Sequence, residues 1–422
     1  MTKRIERVCV LGLGYVGLPT AAVLAAKGVD VIGVDTDPER VTRVNAGIAP
    51  ISEPDLDALL RSVISSGRLR ATDEMCAADA FVIAVPTPLT KDREPDLSHL
   101  RQATNTVAQV LEPGNLVLLE STSPVGTTEV LSRELAALRP DLSFPHLAGE
   151  RSDIRVAYSP ERVLPGRILA ELVNNERVVG GITRACTQAA IALYGRFVDG
   201  SSFATNARTA ELVKLAENAY RDVNIAFANE MSLVCNVHDV NPWEVIELAN
   251  RHPRVDVLQP GPGVGGHCIP IDPWFLVDPA RDSTTLVRAA RAVNDGMPQH
   301  VVKQVLESCT DKPDATVGCL GLAYKANVGD LRESPAVEVV QRLARSSVGR
   351  IGRLAVVEPH IDRLPPSLAG QDRIELVGLD DAISAADVVV LLTDHDEFVE
   401  VDRALLATKA VVDPRGTWRL GS

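Results

Sequence analysis

No apolar run in this 422-residue sequence approaches the roughly 20 residues needed to cross a bilayer, which excludes a transmembrane helix. A secretion signal is missing too. Met1-Thr-Lys-Arg-Ile-Glu-Arg7 carries charge on both sides of one isoleucine, so a cytoplasmic protein is expected. Positive charge is in deficit: 43 Lys and Arg against 56 Asp and Glu give a formal net charge of −13. That removes the basic face which nucleic acid or an anionic membrane requires, while an anionic small substrate needs only a local cluster of Arg and Lys. Cysteine is sparse and unpatterned. The seven thiols (Cys9, Cys76, Cys186, Cys235, Cys268, Cys309, Cys319) are odd in number and hold no C-x-x-C pair, which argues against a disulfide framework. The His and Cys residues form no zinc-ligand cluster, and the adjacent His267-Cys268 cannot make a site alone, so no metal is expected.

What is present reads as a folded protein. The chain is 45% hydrophobic and 23% charged, outside the disordered range, and too long for one ordinary core. Apolar runs of strand length at 8–11, 31–34, 80–85, 116–120 and 156–158 alternate with amphipathic stretches such as 18–27 and 97–111. Such alternation predicts βαβ units and a parallel sheet covered on both faces. From 206 to 240 the pattern becomes one long helical stretch without Pro or Gly in its body, followed by more helix around a Gly/Pro-rich loop at 259–273. A second βαβ series starts at 316–320 and runs through 354–357 and 388–392 to 410–412, with 364–370 read as an exposed loop. The expected architecture is α/β, with two Rossmann-like doubly wound parallel-sheet domains joined by a long central helix and a helical dimerisation region. The expected boundaries are 1–205, 206–300 and 301–422.

The first strand runs into Gly12-Leu13-Gly14-Tyr15-Val16-Gly17 and then a helix. In this G-x-G-x-x-G turn Gly12 permits the tight bend, Gly14 lets backbone approach a pyrophosphate, and Gly17 allows close helix–strand packing. Glycines alone can mark only a turn, but Asp35 ends the second strand about twenty residues on, where a ribose-binding acid belongs. An acid there repels a 2′-phosphate and favours NAD over NADP, although a nearby Arg40 could serve such a phosphate. A short-chain reductase would share this fold, but no Tyr is followed by Lys at the Tyr-x-x-x-Lys spacing.

Gly261-Pro-Gly-Val-Gly265-Gly266-His267-Cys268-Ile-Pro-Ile-Asp272-Pro is the most informative stretch. Most free cysteines are buried small hydrophobes. Here adjacent glycines predict an unobstructed wall beside the thiol, and Asp272, four residues on, is a candidate base for activating water. On the long helix Glu211, Lys214, Asn218 and Arg221 or Asp222 share one face by their three- and four-residue spacing. A polar stripe is usually a solvated face; the wide apolar arc around this one suggests a helix packed between domains. Oxidising an alcohol past the aldehyde needs a nucleophile that makes the carbon tetrahedral before hydride leaves. A thiolate supplies it as a thiohemiacetal and then a thioester. Lys214 would lower the thiol pKa and stabilise oxyanions, with the Asn218 amide as second donor.

The chain resembles the UDP-glucose/GDP-mannose dehydrogenase family over essentially its full length. The matching stretches are Gly12 to Gly17, Pro86-Thr87-Pro88, Glu120-Ser-Thr122-Ser-Pro-Val-Gly126, Ser159-Pro-Glu161-Arg162, Lys214-Leu-Ala-Glu-Asn218, Gly265-Gly266-His267-Cys268 and Tyr324-Lys325 with Asp330-Leu-Arg332-Glu-Ser. The resemblance implies Cys268 as nucleophile, Lys214 and Asn218 as oxyanion and acid–base groups, Asp272 and Thr122 orienting water, and Glu161 assisting thioester hydrolysis. It implies that Gly12, Gly14, Tyr15, Val16, Gly17, Asp35, Arg40 and Thr87 contact NAD, with Arg332 reaching it from the second Rossmann-like domain. For the nucleotide sugar it implies Arg162, Val163, Lys214, Asn218, Arg221, His252, Gly265, Tyr324, Lys325 and Arg415, with Arg254 lent across a homodimer interface. His267 and Ile271 depart from the UDP-glucose and GDP-mannose branches, which commonly have Ser and Lys there. Arg162-Val-Leu-Pro-Gly166, Arg251-His-Pro-Arg254-Val and Asp272-Pro-Trp-Phe275 resemble the branch acting on N-acetylated UDP-sugars. The implied substrate is UDP-N-acetyl-D-mannosamine, with UDP-N-acetylglucosamine as alternative. Two other readings stay open on the residues alone: a dehydrogenase that stops at the aldehyde, and a non-catalytic NAD- or UDP-sugar-binding sensor.

Overall fold

The structure, a computed structural model, describes residues 5–51, 53–164, 166–346 and 350–418. Its strands in chain order are β1 (Arg7–Leu11), β2 (Asp30–Val34), β3 (Leu69–Thr72), β4 (Ala80–Ile83), β5 (Leu116–Leu119), β6 (Arg155–Tyr158), β7 (Arg177–Gly181), β8 (Ser202–Asn206), β9 (Ala315–Leu320), β10 (Ile351–Val357), β11 (Ile374–Leu376), β12 (Val388–Leu391) and β13 (Ala410–Val412). The first eight form one sheet in the order β3-β2-β1-β4-β5-β6-β7-β8, and the last five a second in the order β11-β10-β9-β12-β13. Pairing is parallel throughout except between β6 and β7. By contact density the chain separates into two units, Met1–Glu217 with Trp274–Pro279, and Asn218–Pro273 with Ala280–Ser422.

In the N-terminal unit β4 and β5 read Ala-Phe-Val-Ile and Leu-Val-Leu-Leu with every residue buried, as strands covered on both faces must be. Helix Gly17–Ala26 is buried along all but its last residue. Each such Leu or Val side chain contributes roughly 2 kcal/mol by leaving water. Sheet order reverses between β1 and β4, which opens a crevice at the carboxyl ends of these strands.

The C-terminal unit repeats the opening of the first. Gly12 (φ 91°) donates its N–H to Val34 O at 2.8 Å, and Gly321 (φ 95°) donates to Val357 O at 2.8 Å. An acid follows the second strand each time: Asp35 accepts from Leu13 N at 2.8 Å, and Glu358 accepts from Leu322 N and Ala323 N at 2.8 and 2.9 Å.

Helix Ala207–Val237 follows β8 directly, ahead of helices Pro242–Ala249, Asp272–Val277 and Thr285–Ser308. It stops three residues short of the expected 240, since Asp239 takes a left-handed conformation (φ 53°) that ends a helix. The expected exposed loop at 364–370 is irregular, but its Leu368 is fully buried in the second core. Strands β3, β7, β8 and β11 were not expected. Each lacks the continuous apolar run of a central strand, and β8, at the sheet edge, has only half-buried and exposed residues.

Candidate active site

At the carboxyl end of β1 the dinucleotide turn has the geometry its glycines require. A Cβ on Gly12 would stand 2.6 Å from Ala84 O, and one on Gly17 would stand 1.9 Å from Gly12 O. At Gly14 a Cβ would meet no protein atom within 4 Å, which is the room a pyrophosphate needs above the helix. No side chain caps that helix at Val16, which leaves its first turn open to an anion as a ligand, and Tyr15 stands on the same turn, packed against the core. Asp35 is buried, accepting from Leu13 N on Oδ2 and from Asp37 N on Oδ1. Arg40 pairs with Asp35 at 3.0 Å and with Asp37 at 3.9 Å, so its charge is spent on carboxylates rather than offered to a 2′-phosphate.

The loops after β4 and β5 are tied together beside this turn. Thr87 Oγ1 donates to the Thr122 carbonyl at 2.7 Å, and Ser121 Oγ donates to Val85 O at 2.7 Å. Glu211 of the central helix accepts from Gly126 N, Thr128 N and Thr128 Oγ1 at 2.5, 2.8 and 2.6 Å, although burial pushes its pKa up. Arg162 donates to Glu217 at 2.7 Å, and Val163 packs on the apolar core. Lys214 is 8% exposed. Of the expected helical stripe, Glu211, Lys214, Asn218 and Asp222 are buried, whereas Arg221 is exposed.

In the C-terminal unit Cys268 is exposed, whereas Cys9, Cys186, Cys235, Cys309 and Cys319 are buried and Cys76 is half-buried. The Cys268 carbonyl accepts from Ile271 N and Asp272 N at 3.1 and 2.8 Å, a turn that leads straight into helix Asp272–Val277. Asp272 is buried and accepts a hydrogen bond from the Asn218 amide; the Asn218 oxygen accepts from Arg221 at 2.6 Å. The glycines of this loop serve a different purpose from the one expected. A Cβ on Gly265 would stand 2.6 Å from Tyr324 Cβ and 2.7 Å from Glu333 O, and one on Gly266 (φ 89°) would stand 2.8 Å from Tyr324 Cε2. They admit the protein's own Tyr324 and backbone, and leave no bare wall. Gly266 N donates to Arg332 O at 3.1 Å, while the Arg332 side chain forks onto Asp330. Lys325 follows Tyr324, half-buried. Arg415 lies against Gly261 and donates to Leu392 O at 3.1 Å; burial lowers its pKa. His252 and Arg254 sit on the exposed stretch 251–256 and face each other at 3.4 Å. Among the described residues, none of their hydrogen bonds reaches the Cys268 loop.

Three profiles of one family match in succession: the NAD binding domain over 6–198, the central domain over 208–296 and the UDP binding domain over 318–419. The chain belongs to the UDP-glucose/GDP-mannose dehydrogenase family. An NDP-N-acetyl-D-galactosaminuronic acid dehydrogenase of Ralstonia nicotianae is 54% identical over 411 residues, covering 97% of this chain and 96% of that relative. A UDP-N-acetyl-D-mannosamine dehydrogenase of Campylobacter jejuni is 51% identical, covering 94% of this chain and 98% of that relative. Among solved structures, a UDP-D-ManNAc dehydrogenase of Pyrococcus horikoshii aligns with a TM-score of 0.87 at 40% identity, covering 97% of this chain and 96% of that one.

As a member of the UDP-glucose/GDP-mannose dehydrogenase family the chain is an NAD-dependent oxidoreductase acting on a nucleotide sugar. NAD fits the turn on the observations above: the open space at Gly14, the uncapped helix and the buried Asp35.

Sequence reasoning named Asp222, Glu161 and Glu120 singly but missed the two buried clusters they belong to. Asp222 pairs with Arg291 at 2.6 Å and accepts from Asn294, which in turn accepts from Asn229; Asn229 also accepts from Gly261 N at 2.9 Å. The central helix thus holds the start of the Cys268 loop through Asn229 and its end through Asn218. In the other cluster Arg177 pairs with Glu161 at 2.9 Å beside Glu120 and Tyr194. The signal for both was faint, since lone charges in apolar stretches look like strand or helix ends.

Proposed function

We propose that the enzyme oxidises the primary alcohol of UDP-N-acetyl-D-mannosamine, through the aldehyde, to the uronate, with Cys268 as covalent nucleophile. The observation that carries this reading is the exposed Cys268 thiol at the head of a turn leading directly to Asp272, itself buried and held by Asn218. NAD supplies the hydride acceptor for both oxidations. Lys214 and Asn218 stabilise the oxyanion that develops as the alcohol loses its proton. The Cys268 sulfur then bonds to the aldehyde carbon and its proton ends on the former carbonyl oxygen. The resulting thiohemiacetal gives up a second hydride and that proton to become a thioester. Water oriented by Asp272 and Thr122, with Glu161 taking its proton, breaks the carbon–sulfur bond and releases the carboxylate and the thiol. Arg162, Val163, Arg221, Gly265, Tyr324, Lys325 and Arg415 bind the nucleotide sugar, and Arg332 contacts NAD. In this reading 1–205 binds NAD, 206–300 carries the catalytic loop and 301–422 binds the UDP-sugar.

The mannosamine substrate is supported by the Campylobacter and Pyrococcus relatives, and the uronic acid would serve cytoplasmic steps of surface polysaccharide synthesis. A second reading, an N-acetylated galacto-configured sugar, is supported by the Ralstonia relative. We also propose a homodimer. Leu212, Tyr220, Phe227 and Val234, spaced eight, seven and seven apart, are 42–63% exposed along one face of the central helix, and Arg254 and His252 would serve the partner's site.

The test is NADH yield with UDP-N-acetylmannosamine, UDP-N-acetylglucosamine, UDP-N-acetylgalactosamine and UDP-glucose in parallel. Two NADH per sugar and a preference for the mannosamine are expected. A preference for UDP-glucose would overturn the N-acetyl assignment. Cys268→Ser should lower uronate formation on the order of a thousandfold or more while NAD still binds.

A further inference from the structure

Two buried carboxylates of the N-terminal unit lean on one cation. Glu120 is the first residue beyond β5 and Glu161 lies on the loop after β6; they are 2% and 9% exposed. Arg177, at the start of β7, donates from Nη2 to Glu161 Oε2 at 2.9 Å. Its guanidinium carbon sits 4.5 Å from the Tyr194 ring centroid and 5.7 Å from that of Phe197, which fixes the plane of the cation. Glu161 Oε1 accepts from Arg162 N at 2.7 Å, so both oxygens of that carboxylate are held. Among the described residues the hydrogen-bond partners of Glu120 are neutral hydroxyls: Tyr194 OH donates to Oε1 at 2.5 Å, and Thr20 Oγ1 lies 3.5 Å from Oε2.

With both acids ionised, the cluster would hold two negative charges against one positive in a low-dielectric interior. Such a site retains a proton, and it stays on the carboxylate with the weaker ionic partner. We propose that Glu120 carries this proton while the enzyme works, leaving the Arg177 charge undivided for Glu161. Glu120 is thus a positioning residue for thioester hydrolysis. The proposal rests on Glu161 having the hydrolytic role given above.

The groups facing Glu120 are Thr20 from the first helix, Tyr194 from helix Arg184–Tyr194, Arg177 from β7 and Glu161 from the loop after β6. Burial pushes Glu120 up to about 7; the Arg177 charge opposes this and the Glu161 charge reinforces it. As pH rises through that value Glu120 ionises, competes for Arg177 and loosens its hold on Glu161.

The test compares wild type with Glu120→Gln, which keeps the Tyr194 contact without a titrating proton. Infrared difference spectra of the NAD-bound enzyme between about pH 6 and about pH 8 should show the loss of a buried protonated-carboxyl band in wild type, a band that Glu120→Gln lacks at either pH. The rate of uronate formation at saturating NAD and UDP-N-acetylmannosamine should fall through an inflection near the Glu120 value in wild type, and Glu120→Gln should lose that inflection. Tyr194→Phe removes a donor to the ionised form, so it should shift the inflection to higher pH. A band that persists in Glu120→Gln, or an unchanged rate profile, overturns the proposal. Glu161→Gln tests the reading beneath it separately. Full uronate formation in that variant would remove Glu161 from hydrolysis whatever the infrared spectra show.

Discussion

Asp35 and Arg40 form a pair whose parts constrain each other. The Asp35 carboxylate holds Leu13 N, Asp37 N and the Arg40 guanidinium, so a ribose diol bound there would meet a fixed acceptor whose charge is partly compensated. Asp35→Asn removes one charge-assisted acceptor, worth about 1.5–3 kcal/mol, and frees Arg40. KM for NAD should rise about tenfold or more, and the preference over NADP should shrink, as steady-state kinetics with both cofactors will read. A second residue-scale consequence concerns stability. Glu120 is raised from an ordinary carboxylate value to about 7 by burial, so between about 4.5 and 7 the native state binds a proton that the unfolded chain has released. The Glu120 contribution is fully favourable below that window and is lost as pH rises through it, by roughly 3 kcal/mol. Thermal unfolding of Glu120→Gln against wild type should show the two midpoints diverging across this window, with the variant gaining as pH rises. Of these residues, Asp35 was legible from its distance to the Gly12 turn. Glu120 was visible only as part of a resembling motif, because its chemistry depends on Arg177 and Tyr194, 57 and 74 residues away.

Among the elements, the central helix does two jobs that the sequence pattern could only half announce. Its three- and four-residue spacing of polar groups was readable, but a stripe in solvent and a stripe in a core have the same periodicity. Burial distinguishes them: Asp222 and Arg291 are 0% and 3% exposed, and Asn229 is fully buried while holding Gly261 N. Asp222→Ala leaves the Arg291 cation with Asp295 as its remaining ion-pair partner among the described residues, so a loss of about 3 kcal/mol in stability is expected by chemical denaturation. Asn229→Ala orphans Gly261 N–H and Asn294 Oδ1, at about 1–3 kcal/mol each, and should cost more activity than Asp222→Ala, because it releases the start of the Cys268 loop. Equal losses of kcat in the two variants would argue against that link. Strand legibility follows the same physics. Central strands such as β4 and β5 declare themselves as unbroken apolar runs, whereas β3, β8 and β11 lie at sheet edges and carry polar residues. The loop glycines were legible as a special backbone but not in their purpose, since nothing in the local sequence points to Tyr324.

For the whole molecule, the question is whether a second copy completes the site. Exposed Leu212, Tyr220, Phe227 and Val234 on one helix face offer apolar area that an isolated chain gains nothing by showing to water. Arg254 stands on an exposed stretch whose hydrogen bonds, among the described residues, do not lead to Cys268. If the two facts have one cause, Arg254 acts in trans, and mixing two dead enzymes should restore activity. In a heterodimer of Cys268→Ser and Arg254→Ala chains, the protomer that keeps Cys268 receives a native Arg254 from its partner, while the other site lacks both. Half of randomly reassorted dimers are mixed and half of their sites are complete, so recovery to about a quarter of wild-type activity is expected. Each variant alone stays inactive or nearly so. No recovery after subunit exchange, verified by light scattering and differential tagging, would place Arg254 in cis or outside the site. A monomer by light scattering would remove the trans reading and leave the exposed stripe to another partner. Tyr220→Glu with Phe227→Glu provides the control: it should abolish recovery by preventing dimers while leaving NAD binding intact, because the Gly12 turn belongs to the other unit of the chain.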